Sequence, residues 1–550
     1  MRIRMAVVGV VTACATVLAP SALAWHSGHG GPPGHGRGLG GRGHPSGLVV
    51  GTQSGVVQGE TTGGVDQWLG IPYAAPPVGA LRWKSPQPAA SWPGVRPAVT
   101  LPPACPQLPS GNGPRSENED CLYLSIYRPA GVSRHARLPV LFWIHGGGLT
   151  TGSGNQHNGA LMATTNHIEV VSINYRLGMF GFLALPSLDS ESPSHASGDY
   201  GLQDQEAALW WTHRNIAGFG GDPHNVTIAG ESAGGYSVCA LMTSPTVRGL
   251  FERAVMQSGS CISTPLSQAE QSGASFASAL GCSDPSSAAT CLRAKTAAQL
   301  LDDPQYPSAL SPTSGGPELP VAPADAVALG HFDHVPLLMG TNHDEGRTFS
   351  QGLANAPESV YDQTIDSQYG ANASKVLAEY PWSSFPSPYT TAYAIGAVWT
   401  DSGFIGGIGG CATQNLAGEF RAGTRTFFYQ FDDRHAPGLN NTVPGYMWGA
   451  GHAMELAYMW PSFNNGFSLY DEFTPAQKQL SEQMVRWWGA FARFGAPLAY
   501  GQPYWPSYQR DAIMSLRPGD ASVAIPASEF AAEHNCGFWN SIPGALGGGS

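Results

Sequence analysis

Charge is scarce in this chain. Charged residues make up 12% of its 550 positions, about half the usual ~25%. The 27 Lys and Arg are outnumbered by 39 Asp and Glu, for a net charge of −12. That balance excludes a protein that holds nucleic acid by neutralising phosphates, which takes a basic face. Long apolar runs are also missing: beyond the N-terminus no stretch reaches the ~20 residues of a spanning helix. The CxxC spacing of zinc and redox sites is absent, and no internal repeat is visible. What the chain does have is apolar material, 42% of residues with 15 Trp, 19 Tyr and 21 Phe. This suffices for a large core and excludes wholesale disorder. With 71 Gly and 45 Pro the core is connected by many turns. At roughly 100–200 residues per domain the length predicts three or four units, or one large α/β enzyme.

The first residues read as an address. Arg2 and Arg4 precede an apolar run from Ala6 to Leu18, and Ala22-Leu23-Ala24 forms an A-x-A cleavage pattern before Trp25. Residues 1–24 are therefore expected to be a signal peptide, and the mature protein to be secreted and without an integral membrane segment. The alternative is a lipoprotein anchored at Cys14, because Val11-Thr12-Ala13-Cys14 resembles a lipobox. Residues 25–47 (including GHGGPPGHGRGLGGRGHPSG) have almost nothing to bury and are expected to be a disordered leader. Its His26, His29, His35 and His44 sit in a Gly-rich chain that does not pre-arrange metal ligands, so a spacer is the better reading. A folded domain over 48–540 and a flexible tail over 541–550 complete the expected organisation. Of the nine cysteines, Cys14 leaves with the signal. Cys105 with Cys121 and Cys282 with Cys291 close short loops, and Cys411 with Cys536 would tie the C-terminus back to the body. Cys239 and Cys261 are left as buried thiols.

The chemistry begins at Ser232. Asn225 to Ala229 is β-branched and apolar, as in a central strand; Gly230-Glu231-Ser232-Ala233-Gly234-Gly235 follows, and Tyr236 to Met242 can continue as a helix. A G-x-S-x-G pattern is expected by chance in a chain this rich in glycine, but not its placement between a strand and a helix. That placement is a nucleophile elbow, where small flanking residues let strand and helix pass closely. Upstream, the buried-strand run Leu138 to Ile144 ends in His145-Gly146-Gly147-Gly148-Leu149. Three glycines after a strand let backbone N–H groups converge on one point, which is how an oxyanion hole for acyl transfer is built. A serine nucleophile needs a base and an orienting acid, in the chain order Ser, Asp or Glu, His. Val335 to Gly340 reads as a strand end, and its loop Thr341-Asn342-His343-Asp344-Glu345-Gly346 offers both Asp344 and Glu345 as the acid. Three histidines remain downstream. His452, in the small-residue loop Gly449-Ala450-Gly451-His452, leads over His435, which follows charged residues, and His534, which sits beside Cys536.

With these motifs in place the sequence resembles the type B carboxylesterase/lipase family, the cholinesterase-like branch of the α/β-hydrolases, and within it secreted bacterial esterases of the para-nitrobenzyl type. The resemblance runs in order over about residues 48–540. It is carried by Leu69-Gly70-Ile71-Pro72-Tyr73, Glu119-Asp120-Cys121-Leu122, the triple glycine, Asn174-Tyr175-Arg176-Leu177-Gly178, Gly201-Leu202-Gln203-Asp204-Gln205, the elbow, Gln257-Ser258-Gly259 and the segment around His452. It implies an α/β fold with a large, mostly parallel mixed sheet flanked by helices, elaborated by long loop and helical insertions. It also implies Ser232 as nucleophile, Glu345 as acid, His452 as base, and the backbone N–H groups of Gly147, Gly148 and Ala233 as the oxyanion hole. In the family, disulfides match Cys105–Cys121 and, in many members, Cys282–Cys291. Glu231 and Glu455 flank the nucleophile and the base, where network and purely structural roles are equally open. Two departures stand out. Leu149 replaces a usual aromatic residue, which implies a wider pocket wall, and Gly198-Asp199-Tyr200 replaces a Gly-Asn pair away from the chemistry.

The partner implied is a small-molecule ester, with no metal or organic cofactor. Alternatives are a lipase-like preference for long acyl chains, for which no amphipathic lid stands out, and a non-catalytic cholinesterase-like binding protein, against which all three candidate residues are present. Because the base must be neutral to act, activity is expected to fall as pH drops through roughly 6–7. A profile flat down to about pH 4 would remove His452 from that role.

Overall fold

The computed structural model describes residues 47–440, 442–463 and 468–547. The expected signal peptide and all but the end of the expected leader lie outside them. Eleven strands form one sheet. In chain order they are β1 (Glu60–Thr62), β2 (Val65–Pro72), β3 (Tyr123–Pro129), β4 (Leu138–Ile144), β5 (Glu169–Ile173), β6 (Gly221–Glu231), β7 (Arg253–Gln257), β8 (Leu337–Asn342), β9 (Thr426–Phe431), β10 (Ala512–Leu516) and β11 (Val523–Pro526). Across the sheet the order is β11-β10-β9-β8-β7-β6-β4-β5-β3-β2-β1. From β5 to β10 all neighbours are parallel, while the margins pair antiparallel. The mixed sheet and its parallel centre match the expected α/β-hydrolase architecture.

The period of two along β4 shows why this sheet is covered on both faces. Val140, Phe142 and Ile144 point into one apolar cluster and Leu141 and Trp143 into the other. The first cluster is closed by helices α1 (Tyr200–Phe219) and α2 (Ala233–Thr243), which supply Leu209, Ile216, Val238 and Leu241. The second is closed by α3 (Pro475–Phe494), which supplies Leu480, Met484, Trp487, Trp488 and Phe491. Helix α3 begins at a capping box: Thr474 and Gln477 satisfy each other's backbone N–H, with Pro475 at the first helical position.

Four disulfides are present: Cys105–Cys121, Cys239–Cys261, Cys282–Cys291 and Cys411–Cys536. The second corrects the expectation of free thiols. Cys239 lies in α2 and Cys261 just beyond β7, and the parallel pairing of β6 with β7 brings them to a Cα separation of 5.3 Å. Sequence spacing does not show such an approach. The tail also differs from expectation: Ile542 and Ala545 are buried, and the Gly547 N–H donates to the Ser402 carbonyl (3.1 Å). Two apolar side chains are enough to dock it as far as Gly547.

Arg176, in the loop after β5, is joined to Asp204 of α1 in a buried fork. Nε and Nη2 each lie 2.7 Å from a carboxylate oxygen, and the Arg176 backbone N–H donates to Oδ2 at 3.0 Å. Two further guanidinium N–H groups donate to the carbonyls of Lys84 and Tyr200. Removing one partner strands a buried charge, so Asp204→Ala is expected to cost about 3–5 kcal/mol. Urea unfolding followed by tryptophan fluorescence measures this, and a loss under about 1 kcal/mol would show the pair to be dispensable.

Candidate active site

The register of the parallel strands decides where the chemistry sits. Ile144 pairs with Gly230, Glu231 with Gln257, and Gln257 with Gly340. The C-terminal ends of β4, β6, β7 and β8 therefore open on one edge of the sheet, where α/β proteins place their sites. Ser232 is the first residue past β6 and has φ 56° and ψ −122°, a conformation costing about 1–3 kcal/mol for a non-glycine residue. The flanking glycines explain how it is reached. A Cβ on Gly234 would lie 2.2 Å from the Ile144 carbonyl oxygen, and one on Gly230 would lie 2.4 Å from the Gly234 carbonyl oxygen. Strand, turn and helix fit together only without those two side chains.

His452 Nε2 lies 2.8 Å from Ser232 Oγ, and its Nδ1 lies 2.7 Å from Glu345 Oε2. The tautomer that donates from Nδ1 to the carboxylate leaves Nε2 to accept the serine proton. The other Glu345 oxygen accepts from Ser258 Oγ (2.6 Å), Thr341 Oγ1 (2.8 Å) and the Asn342 N–H (2.7 Å). With both oxygens engaged, the carboxylate has one orientation. Asp344, the other candidate acid, is turned to a different task. It pairs with Arg434 (2.6 Å) and Arg347 (3.4 Å) and accepts from the Ala450 N–H (2.9 Å), tethering the loop that carries His452. Its carboxyl is held below its ordinary range because contacts from His343, Arg347 and Arg434 outweigh a large opposing effect of burial. His435 and His534 do not join the group. The His435 N–H donates to Asp433, and His534 is buried against Asp401 at 2.7 Å.

Four more carboxylate and amide groups complete the neighbourhood. Asn342 Nδ2 bridges Glu455 and the Gly451 carbonyl, 2.7 Å from each. Gln257 Nε2 donates to Glu455 (3.2 Å) and its Oε1 accepts from the Trp488 indole (2.9 Å). Glu231 Oε1 sits 3.3 Å from His452 Nε2 with no hydrogen-bond partner. Sequence reasoning assigned no role to Ser258, Asn342 or Gln257; the signals were the Gln257-Ser258-Gly259 motif of the resemblance and, for Asn342, position at the end of β8. Burial lowers the His452 pKa, but Glu231, Glu345 and Glu455 outweigh it and raise it to about 9. Burial raises Glu231 well above the ordinary carboxyl range and Glu455 to about 7. Glu231 and His452 thus compete for one proton across 3.3 Å.

Gly147 (φ 105°) and Gly148 (φ 64°) turn in the left-handed region. Neither their N–H groups nor that of Ala233 donates to an acceptor among the described residues. The turn is braced by Tyr175, whose ring stacks on His145 at 4.4 Å and whose hydroxyl donates to the His145 carbonyl at 2.7 Å. Leu149 is fully buried in the core and is not part of the cavity wall. The loss of an aromatic residue there does not widen the pocket in the way the sequence implied. The cavity itself is about 860 Å³, with Ser232, His452 and the glycine turn on its wall beside Tyr236, Tyr306 and Phe349. No Lys or Arg among the described residues lines it. Among the described residues no group of three or more His, Cys, Asp or Glu is placed to hold a metal ion.

Sheet order, elbow and gorge together define an α/β-hydrolase equipped for acyl transfer. The chain belongs to the carboxylesterase family, whose sequence profile matches residues 46–539. It is 34% identical to a cocaine esterase from Homo sapiens over 481 residues, covering 82% of each chain. It is also 34% identical to a fumonisin B1 esterase from Sphingopyxis macrogoltabida over 486 residues, covering 84% of this chain and 85% of that one. Among solved structures, a thermophilic PNB esterase superposes with a TM-score of 0.73 at 32% identity, over 89% of this chain and all of the other. The protein is a carboxylic-ester hydrolase.

The carboxylates around His452 shift its acid limb. With the His452 imidazole raised above its ordinary 6.5, a reaction that needs it neutral is expected to lose kcat/KM on acidification with a midpoint above 6.5, higher than sequence alone indicated. Glu231→Gln removes one charge that favours the imidazolium and should move that midpoint down. A midpoint unchanged in the variant would mean that Glu231 carries its proton throughout the range.

Proposed function

We propose that the protein is a secreted serine carboxylesterase that cleaves uncharged carboxylic esters through an acyl-enzyme on Ser232. One observation carries the reading: the unbroken hydrogen-bonded series Ser232–His452–Glu345 (2.8 and 2.7 Å) on the wall of an 860 Å³ cavity. His452 Nε2 takes the Oγ proton as Oγ bonds to the ester carbonyl carbon. The N–H groups of Gly147, Gly148 and Ala233 hold the resulting oxyanion, each worth roughly 3–4 kcal/mol in such a site. The carbon–oxygen bond to the alcohol then breaks, and the departing oxygen takes the proton from His452. Water repeats the sequence on the acyl-enzyme: its proton passes to His452, the bond to Oγ breaks, and Oγ is reprotonated. Glu345 keeps the imidazole in the productive tautomer and stabilises its charged form. These steps balance without a metal or an organic cofactor.

Uncharged substrates are favoured by a lining with no Lys or Arg to receive an anion. Leu108, Ile262, Leu310, Ile405 and Leu456 offer apolar walls to an acyl or alcohol chain. Secretion is supported by the A-x-A pattern at Ala22 to Ala24 and by four disulfides, which persist in oxidising compartments. No helix among the described residues is long and apolar enough to cross a membrane.

The test is hydrolysis of p-nitrophenyl esters from acetate to palmitate by the purified protein and by Ser232→Ala. Turnover of short and medium chains is expected, with kcat falling by at least about 10³-fold in the variant. Preference for palmitate would favour a lipase. Full activity in Ser232→Ala would sink the acyl-enzyme mechanism.

A further inference from the structure

An N–H of the glycine turn after β4 can hold an oxyanion only while it stays aimed into the gorge. Each such N–H shares a near-planar peptide unit with the carbonyl of the residue before it, and in a trans peptide the two point in opposite directions. The Gly148 N–H is therefore aimed by whatever holds the Gly147 carbonyl, and the glycines add no restraint of their own. Three donors hold that carbonyl: the N–H groups of Thr150 and Thr151, each at 3.0 Å, and Thr151 Oγ1 at 3.2 Å. Thr150 Oγ1 also lies within 3.3 Å, but its single hydrogen has a nearer acceptor in the Ser308 carbonyl at 3.0 Å. The Gly146 carbonyl, which aims the Gly147 N–H in the same way, accepts from His145 Nδ1 at 2.8 Å.

Of the three donors to Gly147, the Thr151 hydroxyl is tied to a separate part of the chain. It accepts from Asn112 Nδ2 at 3.1 Å. A hydroxyl that accepts on one side has its own hydrogen left for the other, here the Gly147 carbonyl. Asn112 stands at the tip of a small hairpin inside the loop closed by Cys105–Cys121, where Ser110 with Gly113 and Gln107 with Ser116 exchange backbone hydrogen bonds of 2.9–3.1 Å. The same loop takes a second grip one residue further on. The Gln107 amide accepts from the Gly152 N–H at 2.8 Å and donates to the Gly152 carbonyl at 3.0 Å. Asn112 and Thr151 both line the gorge beside Gly147 and Gly148. We propose that Thr151, steadied by Asn112, is a positioning residue for the oxyanion hole: its hydroxyl holds the Gly147 carbonyl so that the Gly148 N–H faces the ester. This rests on the reading that Ser232 forms an acyl-enzyme in this cavity.

Thr151→Val keeps the shape of the side chain and removes the hydroxyl. With p-nitrophenyl butyrate, kcat should fall about ten-fold while KM stays within about two-fold, because the lost contact serves the tetrahedral intermediate. Thr151→Ser should restore kcat to within about three-fold of the wild type, and Asn112→Ala should lower it by about three-fold. Adding Asn112→Ala to Thr151→Val should cost less than about two-fold more, since the amide acts through the hydroxyl. A butyl trifluoromethyl ketone, which adds to Ser232 Oγ and places an oxyanion in the hole, should lose affinity for Thr151→Val by the same factor as kcat. The matching methyl ketone should bind as before. Unchanged kcat in Thr151→Val, or an equal loss of affinity for both ketones, would overturn the proposal, the second outcome showing a general distortion of the gorge. If Thr151→Val does not fold, wild-type kcat in Asn112→Ala overturns it instead. Full activity of Ser232→Ala on the same ester would defeat the acyl-enzyme reading itself, whatever the Thr151 variants do.

Discussion

The distance between β4 and the turn after β6 governs the rest of this structure. Ile144 is paired with Gly230, and its carbonyl oxygen lies where a Cβ on Gly234 would be. One contact thereby fixes both halves of the candidate site, because the glycine turn leaves β4 at His145 and the proposed nucleophile, Ser232, follows β6. A side chain at Gly230 or Gly234 would push helix α2 away from the sheet and separate the two. The strain at Ser232 is held in place by this packing. On the far side of the helix, Gly235 meets Gly259 so closely that a Cβ would stand 2.8 Å from its Cα. The Cys239–Cys261 disulfide then joins α2 to the same segment.

Electrostatics is the second constraint. The imidazole of His452 faces three carboxylates in a site from which water is largely excluded. Glu345 is satisfied on both oxygens, and Glu455 is held by two amides, but Glu231 Oε1 is left without a hydrogen bond. An unsatisfied buried oxygen costs about 1–3 kcal/mol. Here it stands 3.3 Å from His452 Nε2, the atom that gains and loses a proton in the proposed mechanism. The arrangement favours the charged histidine, the form generated in the tetrahedral intermediates, at the expense of the neutral resting form. Asp344 shows how neighbouring residues divide such work: one residue away from Glu345, it is neutralised by two arginines and spends its oxygens on the loop that carries His452.

Motifs that combine unusual glycines with a strand and a helix were legible in the sequence because the backbone itself demands them. The elbow, the triple glycine and the loop after β8 all fall where their spacing indicated. Legibility ended where contacts depend on how separate strands line up. Ser258 is an ordinary serine until the β7–β8 pairing sets it 2.6 Å from Glu345. Cys239 and Cys261 look like two stray thiols until β6 and β7 run side by side. Leu149 misled in the opposite direction. Its place beside the triple glycine suggested a pocket wall, but its φ of 58° carries the side chain into the core. Of the two readings that length allowed, several small units or one large α/β body, the sheet of eleven strands among the described residues is the kind of layer the second calls for.

The low charge of the chain acquires a structural meaning at the gorge. A cavity deep enough to reach the end of β6 must pass through protein on all sides, and every ion on its wall would have to be paired or neutralised. Among the described residues the wall is built mainly from glycine, threonine, serine and aliphatic or aromatic side chains, with Glu231 its one acidic residue, and the buried arginines Arg128 and Arg176 are paired elsewhere with Asp66 and Asp204. Positive charge is thus used to brace the scaffold and kept off the path of the substrate. Apart from Glu231 and His452, the polar groups that the described residues turn to the gorge are neutral ones, suited to contact with a neutral substrate. Histidine is well suited to that use when burial keeps it uncharged, because it both donates and accepts. The same residue type therefore meets two opposed environments on one wall, raised toward its charged form beside the carboxylates at position 452 and held neutral among the aromatic rings at position 157.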